Sequence, residues 1–143
     1  MPELLSDLES FPRTAVLSER VHRVLGLNPS AFTGPGTNTY LVGANGADPL
    51  LIDTGSGVPE YLELLRRHLA AHGLAAPRRC VLTHVHGDHI GGAAALGEAF
   101  PGLSFHKHPW PEKDRRYPVT LARLDDGDVI AGENALGGDS SAW

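Results

Sequence analysis

The run Thr83-His84-Val85-His86-Gly87-Asp88-His89-Ile90-Gly91-Gly92 constrains this chain more than any other stretch. It follows directly on the apolar Cys80-Val81-Leu82. A strand that ends there throws three imidazoles and a carboxylate into one tight loop. Imidazole nitrogen and carboxylate oxygen are the donors a zinc-class ion prefers, and catalytic zinc sites keep one position open for water. The competing reading is four solvated polar residues that happen to cluster. Ligand types, spacing and the strand–loop–helix context all favour metal.

The rest of the chain is ordinary for a soluble globular protein, and its 143 residues suffice for one compact domain. A net charge of −5 gives no footprint for tight non-specific nucleic-acid binding. Cys80 is the only cysteine, so no intrachain disulfide forms and a reducing compartment is expected. Its apolar surroundings mark it as core, not nucleophile. No apolar stretch approaches the roughly 20 residues needed to cross a bilayer. Glu3, Asp7 and Glu9 at the amino terminus do not read as a secretory or mitochondrial leader. The expected location is the cytoplasm.

Periodicity and turn residues organise the chain into a lead-in over 1–14, a domain over 15–131 and a tail over 132–143 that has no period. One or two short strands fit Val16 to Leu27, and further strands fit Tyr40-Leu41-Val42 and Leu50-Leu51-Ile52. Val58, Tyr61, Leu62, Leu65 and Leu69 recur at helical spacing, with Pro59 suited to the first turn and Gly73 to the stop. On that helix Arg66, Arg67, His68 and His72 fall largely on the outer face. After the strand at Cys80 come a helix over Gly91 to Phe100, a strand at Leu103–Phe105, a loop over 106–118 and a strand over Val119–Leu124. Asp125-Asp126-Gly127 reads as a turn and Asp128-Val129-Ile130 as the start of another strand. This order gives an α/β fold, a mixed sheet with helices on one face.

An ion held by His84 and His86 would lower the pKa of its bound water to about 7 and supply hydroxide without serine or cysteine. Asp88 lies close enough in sequence to orient that attack, and His89 could hold a second ion beside it. Asp53, at another strand end, suits a partner that fixes the loop; a turn or capping aspartate is its plainer role.

The pattern Thr-His-x-His-x-Asp-His-x-Gly-Gly, preceded by Asp53-Thr54-Gly55, resembles the metallo-β-lactamase fold superfamily. Leu27-Asn28-Pro29 through Gly36-Thr37-Asn38-Thr39-Tyr40-Leu41-Val42-Gly43 further resembles its β-lactamase-like protein 2 branch, as does Leu124 to Ile130. Animal members of that branch are single-strand endoribonucleases, and fungal relatives are thioesterases on polyketide carrier proteins. The resemblance implies one or two zinc ions, with His84 and His86 on the first and Asp88 and His89 on the second. It also implies Asp53 as the loop-orienting aspartate, and Asn38 and Thr39 on a strand bordering the site. The fold it implies is the amino-terminal half of an αβ/βα sandwich. Family members complete the site with later histidines, whereas no histidine follows His108, and Glu133 and Asp139 are the only later acids that could stand in. The chain therefore reads as truncated after about residue 131, with zinc binding weakened.

Other polar groupings carry less. His106-Lys107-His108 repeats the His-x-His spacing in a proline-rich stretch with no third ligand, and reads as a surface loop. His68 and His72 have a metal-compatible i, i+4 spacing, but Arg66 and Arg67 argue for a solvated face. His22 has no nameable partner. Lys113, Arg115, Arg116 and Arg123, interleaved with Trp110 and Tyr117, could meet an RNA backbone or an acidic carrier protein. The leading expectation is a zinc-dependent hydrolase whose hydroxide attacks single-stranded RNA or a small acyl thioester, with an acyl carrier protein as a partner. The rival is a catalytically incomplete product with a partial metal site. Oligomeric state is not readable from these residues.

Overall fold

The computed structural model describes residues 7, 8, 10–46 and 48–130. Seven strands form one sheet in chain order: β1 (Thr14–Val16), β2 (Val21–Leu25), β3 (Asn38–Val42), β4 (Leu50–Ile52), β5 (Arg79–Val81), β6 (Ser104–Lys107) and β7 (Leu121–Arg123). β1 to β4 pair antiparallel, and β4 to β7 pair parallel. Parallel neighbours need crossovers, and helices supply them. They are α1 (Pro59–Ala71), α2 (Gly87–Ile90), α3 (Ala93–Ala99) and α4 (Pro111–Asp114).

α1 forms where its apolar spacing places it. Pro59 occupies the first turn, where its missing N–H costs nothing. Tyr61, Leu64, Leu65, His68 and Leu69 make the buried stripe. Gly73 ends the helix at φ +63°, and the Leu74 N–H donates to the Leu69 carbonyl at 2.8 Å.

Strand register decides what faces these helices. One row runs His22, Leu41, Leu51, Cys80, Phe105 and Leu121. Its apolar members pack with Tyr61, Leu65 and Leu69 of α1 and Ala93 and Leu96 of α3 in a continuous core. Leu41, Leu51 and Leu65 are completely buried, so truncating any of them to alanine costs about 2–5 kcal/mol. Cys80 lies in the same core, as its neighbours indicated. Tyr40, Ile52 and Val81 belong to the adjoining row and are only half-buried on the other face.

Four local expectations are corrected. Residues 106–118 are not all loop: β6 continues through Lys107, and Pro111–Asp114 is helical. Lys107 can lie in the sheet because its ammonium meets Asp114 Oδ1 and donates to the His108 carbonyl, at 2.8 and 2.9 Å. The helix expected over Gly91–Phe100 runs from Ala93 to Ala99, and the His/Asp loop before it holds a separate helical turn, Gly87–Ile90, with Gly91 and Gly92 between the two. Residues 128–130 form no strand; Asp128 Oδ2 accepts from the Asp125 N–H at 2.7 Å and closes a turn around Gly127 at φ +83°. His68 does not face solvent but packs beneath α1 against His22. The expected tail over 132–143 lies outside the described residues. Among the described residues no helix is long and apolar enough to cross a membrane.

Candidate metal centre

The His/Asp loop begins where β5 stops, and Asp53 stands just beyond the end of its parallel neighbour β4. Asp53 adopts φ +63°, a left-handed conformation that aspartate tolerates better than most residues. Buried to 3% exposure, it turns its carboxylate under the loop. Oδ1 accepts from the Thr83 N–H at 2.8 Å, and Oδ2 accepts from the Thr83 hydroxyl at 2.8 Å. Oδ2 also lies 2.7 Å from His89 Nδ1.

Two tautomers follow. A carboxylate only accepts, so a neutral His89 carries its hydrogen on Nδ1, and Nε2, 3.3 Å from Asp88 Oδ2, is the atom left to ligate. The Thr83 hydroxyl spends its hydrogen on Asp53, so at 2.9 Å from His84 Nδ1 its oxygen accepts, and His84 also keeps Nε2 free. One aspartate thus orders two imidazoles of the loop, one directly and one through Thr83. The His84 ring centroid lies 4.1 Å from that of His89 and 4.7 Å from that of His86. His86 is exposed and opens α2.

Asp88 is held from the opposite side. Its Oδ2 accepts from the Thr37 hydroxyl at 2.7 Å and lies 3.3 Å from His89 Nε2. Asn28 fixes that threonine, its amide accepting from the Thr37 N–H at 2.9 Å and donating to the Thr37 hydroxyl oxygen at 3.1 Å. Burial opposes the charge on Asp88, but the Thr37 hydrogen bond and the neighbouring His89 hold its carboxyl below the usual range. His84 is shifted down by burial first and by His89 and His86 second, so it stays neutral and able to ligate.

The glycines after the loop hold it against the β4 turn. A Cβ on Gly92 would fall 2.2 Å from the Thr54 carbonyl oxygen, and one on Gly91 would fall 2.8 Å from that of Ser56. Glycine is therefore required at both positions. The contact matters because the Thr54 N–H and hydroxyl both donate to the His89 carbonyl, at 2.9 and 2.7 Å.

His84, His86, Asp88, His89 and Asp53 are thus brought together at one end of the sheet. Asn38 and Thr39 divide. Asn38 is exposed at the start of β3, while Thr39 is fully buried, bonding Val24 and the Tyr61 hydroxyl in the core. Thr37 is the residue that reaches Asp88, with Asn28 holding it in place. Both lie in the Leu27–Gly43 stretch, but three strands and α1 separate them from the loop in sequence, and no periodicity exposes that contact. Beside His86 a pocket of about 350 Å³ is lined by Val85, Gly87, Trp110, Lys113, Arg116 and Tyr117. It gathers two of the four basic residues singled out in the sequence; Arg123 instead pairs with Asp125.

Among the described residues, the three metal-capable side chains whose donor atoms all lie within 4.8 Å of one another are His22, His68 and His72. The loop's donors are spread more widely than that.

The sequence model of the metallo-β-lactamase superfamily matches residues 32–139. The chain belongs to that superfamily. A lactamase-like protein, notP, from an Aspergillus species is 41% identical over 133 residues, covering 90% of this chain and 39% of notP. Atrochrysone carboxyl ACP thioesterases of Aspergillus novofumigatus and Passalora fulva are 47% and 43% identical, covering 68% and 71% of the chain and 30% of each relative. The chain thus spans less than half the length of the relatives it matches. Among solved metallo-β-lactamases, FIM-1 of Pseudomonas aeruginosa in its mono-zinc form superposes with TM-score 0.57 at 19% identity, over 83% of this chain and 56% of that one. The enzyme of Erythrobacter litoralis gives 0.56 at 26%, over 86% and 55%. The metallo-β-lactamase α/β architecture, a mixed sheet with helices on one face, is the one these structures share with the chain.

Proposed function

We propose that the His84–His89 loop is the zinc centre of a hydrolase acting on acyl thioesters. The observation that carries this reading is the Asp53–Thr83 network, which engages Nδ1 of both His84 and His89 at one end of the sheet and so reserves Nε2 of the neutral rings for an ion. His84 and His86 would hold one ion and Asp88 and His89 another. When bound, a zinc-class ion supplies Lewis acidity and an activated water at neutral pH. The chain's own residues do the remainder. Asp53 fixes the donors of two rings, Thr37 keeps Asp88 charged and aimed, and the paired glycines press the loop onto Thr54. Lys113 and Arg116 in the pocket beside His86 would meet the phosphate of a carrier-linked thiol arm, with Trp110 and Tyr117 flanking its apolar length. The thioesterase names of the relatives support a thioester over a phosphodiester. An acyl carrier protein is then the natural partner, and the single unpaired Cys80 fits a reducing, cytoplasmic setting.

The test is thiol release from an acyl carrier protein thioester by the zinc-loaded chain, set against cleavage of a single-stranded RNA. Thioester hydrolysis lost on chelation and in His86→Ala supports the proposal. RNA cleavage alone moves the substrate to phosphodiesters, and hydrolysis that survives a strong chelator rejects the metal mechanism. A second reading, ion binding without turnover, is favoured by the wide spread of the loop's donors; zinc uptake with neither reaction would establish it.

A further inference from the structure

The side chains of β2 and α1 bring together three imidazoles that the loop chemistry does not use. His22 lies in the core row of the sheet with Leu41, Leu51 and Cys80, and so faces α1. His68 lies in the last turn of that helix and His72, four residues on, is its C-cap. His22 and His68 are 6% and 5% exposed, and His72 is exposed above them. His22 Nδ1 lies 2.9 Å from His68 Nε2, and the three ring centroids are 4.4–5.0 Å apart.

We propose that His22, His68 and His72 form a second metal site, for a zinc-class divalent ion coordinated by three imidazoles with its fourth position open to water.

The geometry needs little adjustment. Zinc–nitrogen bonds of about 2.0–2.1 Å in a tetrahedral shell put ligand nitrogens roughly 3.3 Å apart. The His22–His68 pair opens by a few tenths of an ångström, and the third donor closes in from within 4.8 Å. His72 is exposed and free to make that movement. The chemistry agrees. Burial first, and His72 after it, lowers the pKa of His22; burial, His72 and His22 bring His68 down to about 4. Both rings are therefore neutral at pH 7, the state in which imidazole ligates. Protonation would gather like charges on three facing rings, whereas one ion satisfies all three at once.

Topology separates this site from the loop. The loop follows the carboxy-terminal ends of β4 and β5, whereas His68 and His72 lie at the far end of α1, just before the chain turns back into β5. An ion there fastens the second half of α1 to β2. It does not depend on hydrolase activity.

The decisive chain carries His84→Ala, His86→Ala, Asp88→Ala and His89→Ala together, so that only the second site remains. After zinc loading and gel filtration, elemental mass spectrometry is expected to find one zinc per chain. Adding His72→Ala is expected to remove it and to abolish the zinc-induced rise in melting temperature. His72 is exposed, so its loss does not threaten the core, as loss of His22 would. In the otherwise unaltered chain, His72→Ala lowers the zinc count by one, and zinc shifts the His72 ring-nitrogen resonances. A loop-emptied, folded chain that takes up no zinc, or one whose zinc survives His72→Ala, overturns the proposal. If the loop-emptied chain does not fold, an unchanged zinc count and unmoved His72 resonances in the single-variant pair overturn it equally.

Discussion

Asp53→Asn separates charge and tautomer from shape. Asparagine matches aspartate in volume and tolerates φ +63° similarly, so the turn after β4 keeps its course. What changes is one acceptor. Asp53 Oδ1 serves the Thr83 N–H, while Oδ2 serves the Thr83 hydroxyl and His89 Nδ1. An amide has one oxygen. Placing the NH2 at Oδ1 sets it against a backbone N–H that cannot adapt, at a cost of about 1–3 kcal/mol. Placing it at Oδ2 is cheaper, because a hydroxyl can rotate and an imidazole can change tautomer. His89 then accepts at Nδ1 and carries its hydrogen on Nε2, the atom that should ligate. The Thr83 hydroxyl, now an acceptor from the amide, turns its hydrogen toward His84 Nδ1 and drives the same change there. His84 and His89 both lose the lone pair on Nε2 while the fold loses only about 1–2 kcal/mol. Zinc affinity at the loop should fall by about 10–100-fold, the usual effect of losing a group that orients ligands. Competition against a chromophoric chelator, in a His72→Ala background that silences the other site, reads this directly; urea melts give the stability change. Parental zinc affinity in Asp53→Asn would refute the relay.

Gly92→Ala forces a methyl to 2.2 Å from the Thr54 carbonyl, a backbone atom that cannot step aside. It should cost about 2–4 kcal/mol, seen as a fall of several degrees or more in melting temperature. Thr39→Val should destabilise more than Tyr61→Phe in denaturant melts. Thr39 donates to Val24 and also meets the Tyr61 hydroxyl, so its loss orphans two buried groups, about 1–3 kcal/mol, against about 0.5–1.5 kcal/mol for the phenol. The reverse order would put Thr39 outside the core network. In metal-free protein, stability should fall as pH drops from 6.5 toward 4. His68 is held down to about 4, so across that window the folded chain binds fewer protons than the unfolded one, and stability rises with pH. Urea midpoints measured across the window check this, and the slope should shrink in His68→Phe.

The parts of the fold that read well from sequence depend on local information. Pro59, Gly73 and the apolar spacing between them bound α1, and Leu50–Ile52 is a strand as expected. The loop was legible because four donor-type side chains crowd six positions. What escaped depends on pairing between distant segments. Arg66 and Arg67 made the helix face look wet, yet His68 turns inward because β2 places His22 beneath it. Lys107 read as a loop residue since its partner Asp114 becomes visible only once β6 and α4 are docked. Thr37 was passed over for Asn38 and Thr39, although Thr37 is the one that touches Asp88. The expected strand after Asp128 was undone by short-range chemistry, an aspartate side chain closing its own turn.

The central claim is that Asp53 and Thr83 set the loop's histidines to ligate through Nε2. Long-range nitrogen-15 correlation spectra of the imidazoles, recorded without metal and during zinc titration, test it most directly. The account predicts that His84 and His89 carry hydrogen on Nδ1 before zinc is added, and that zinc then shifts both Nε2 resonances. Hydrogen on Nε2 in the metal-free chain, or Nε2 resonances unmoved by zinc, would contradict it.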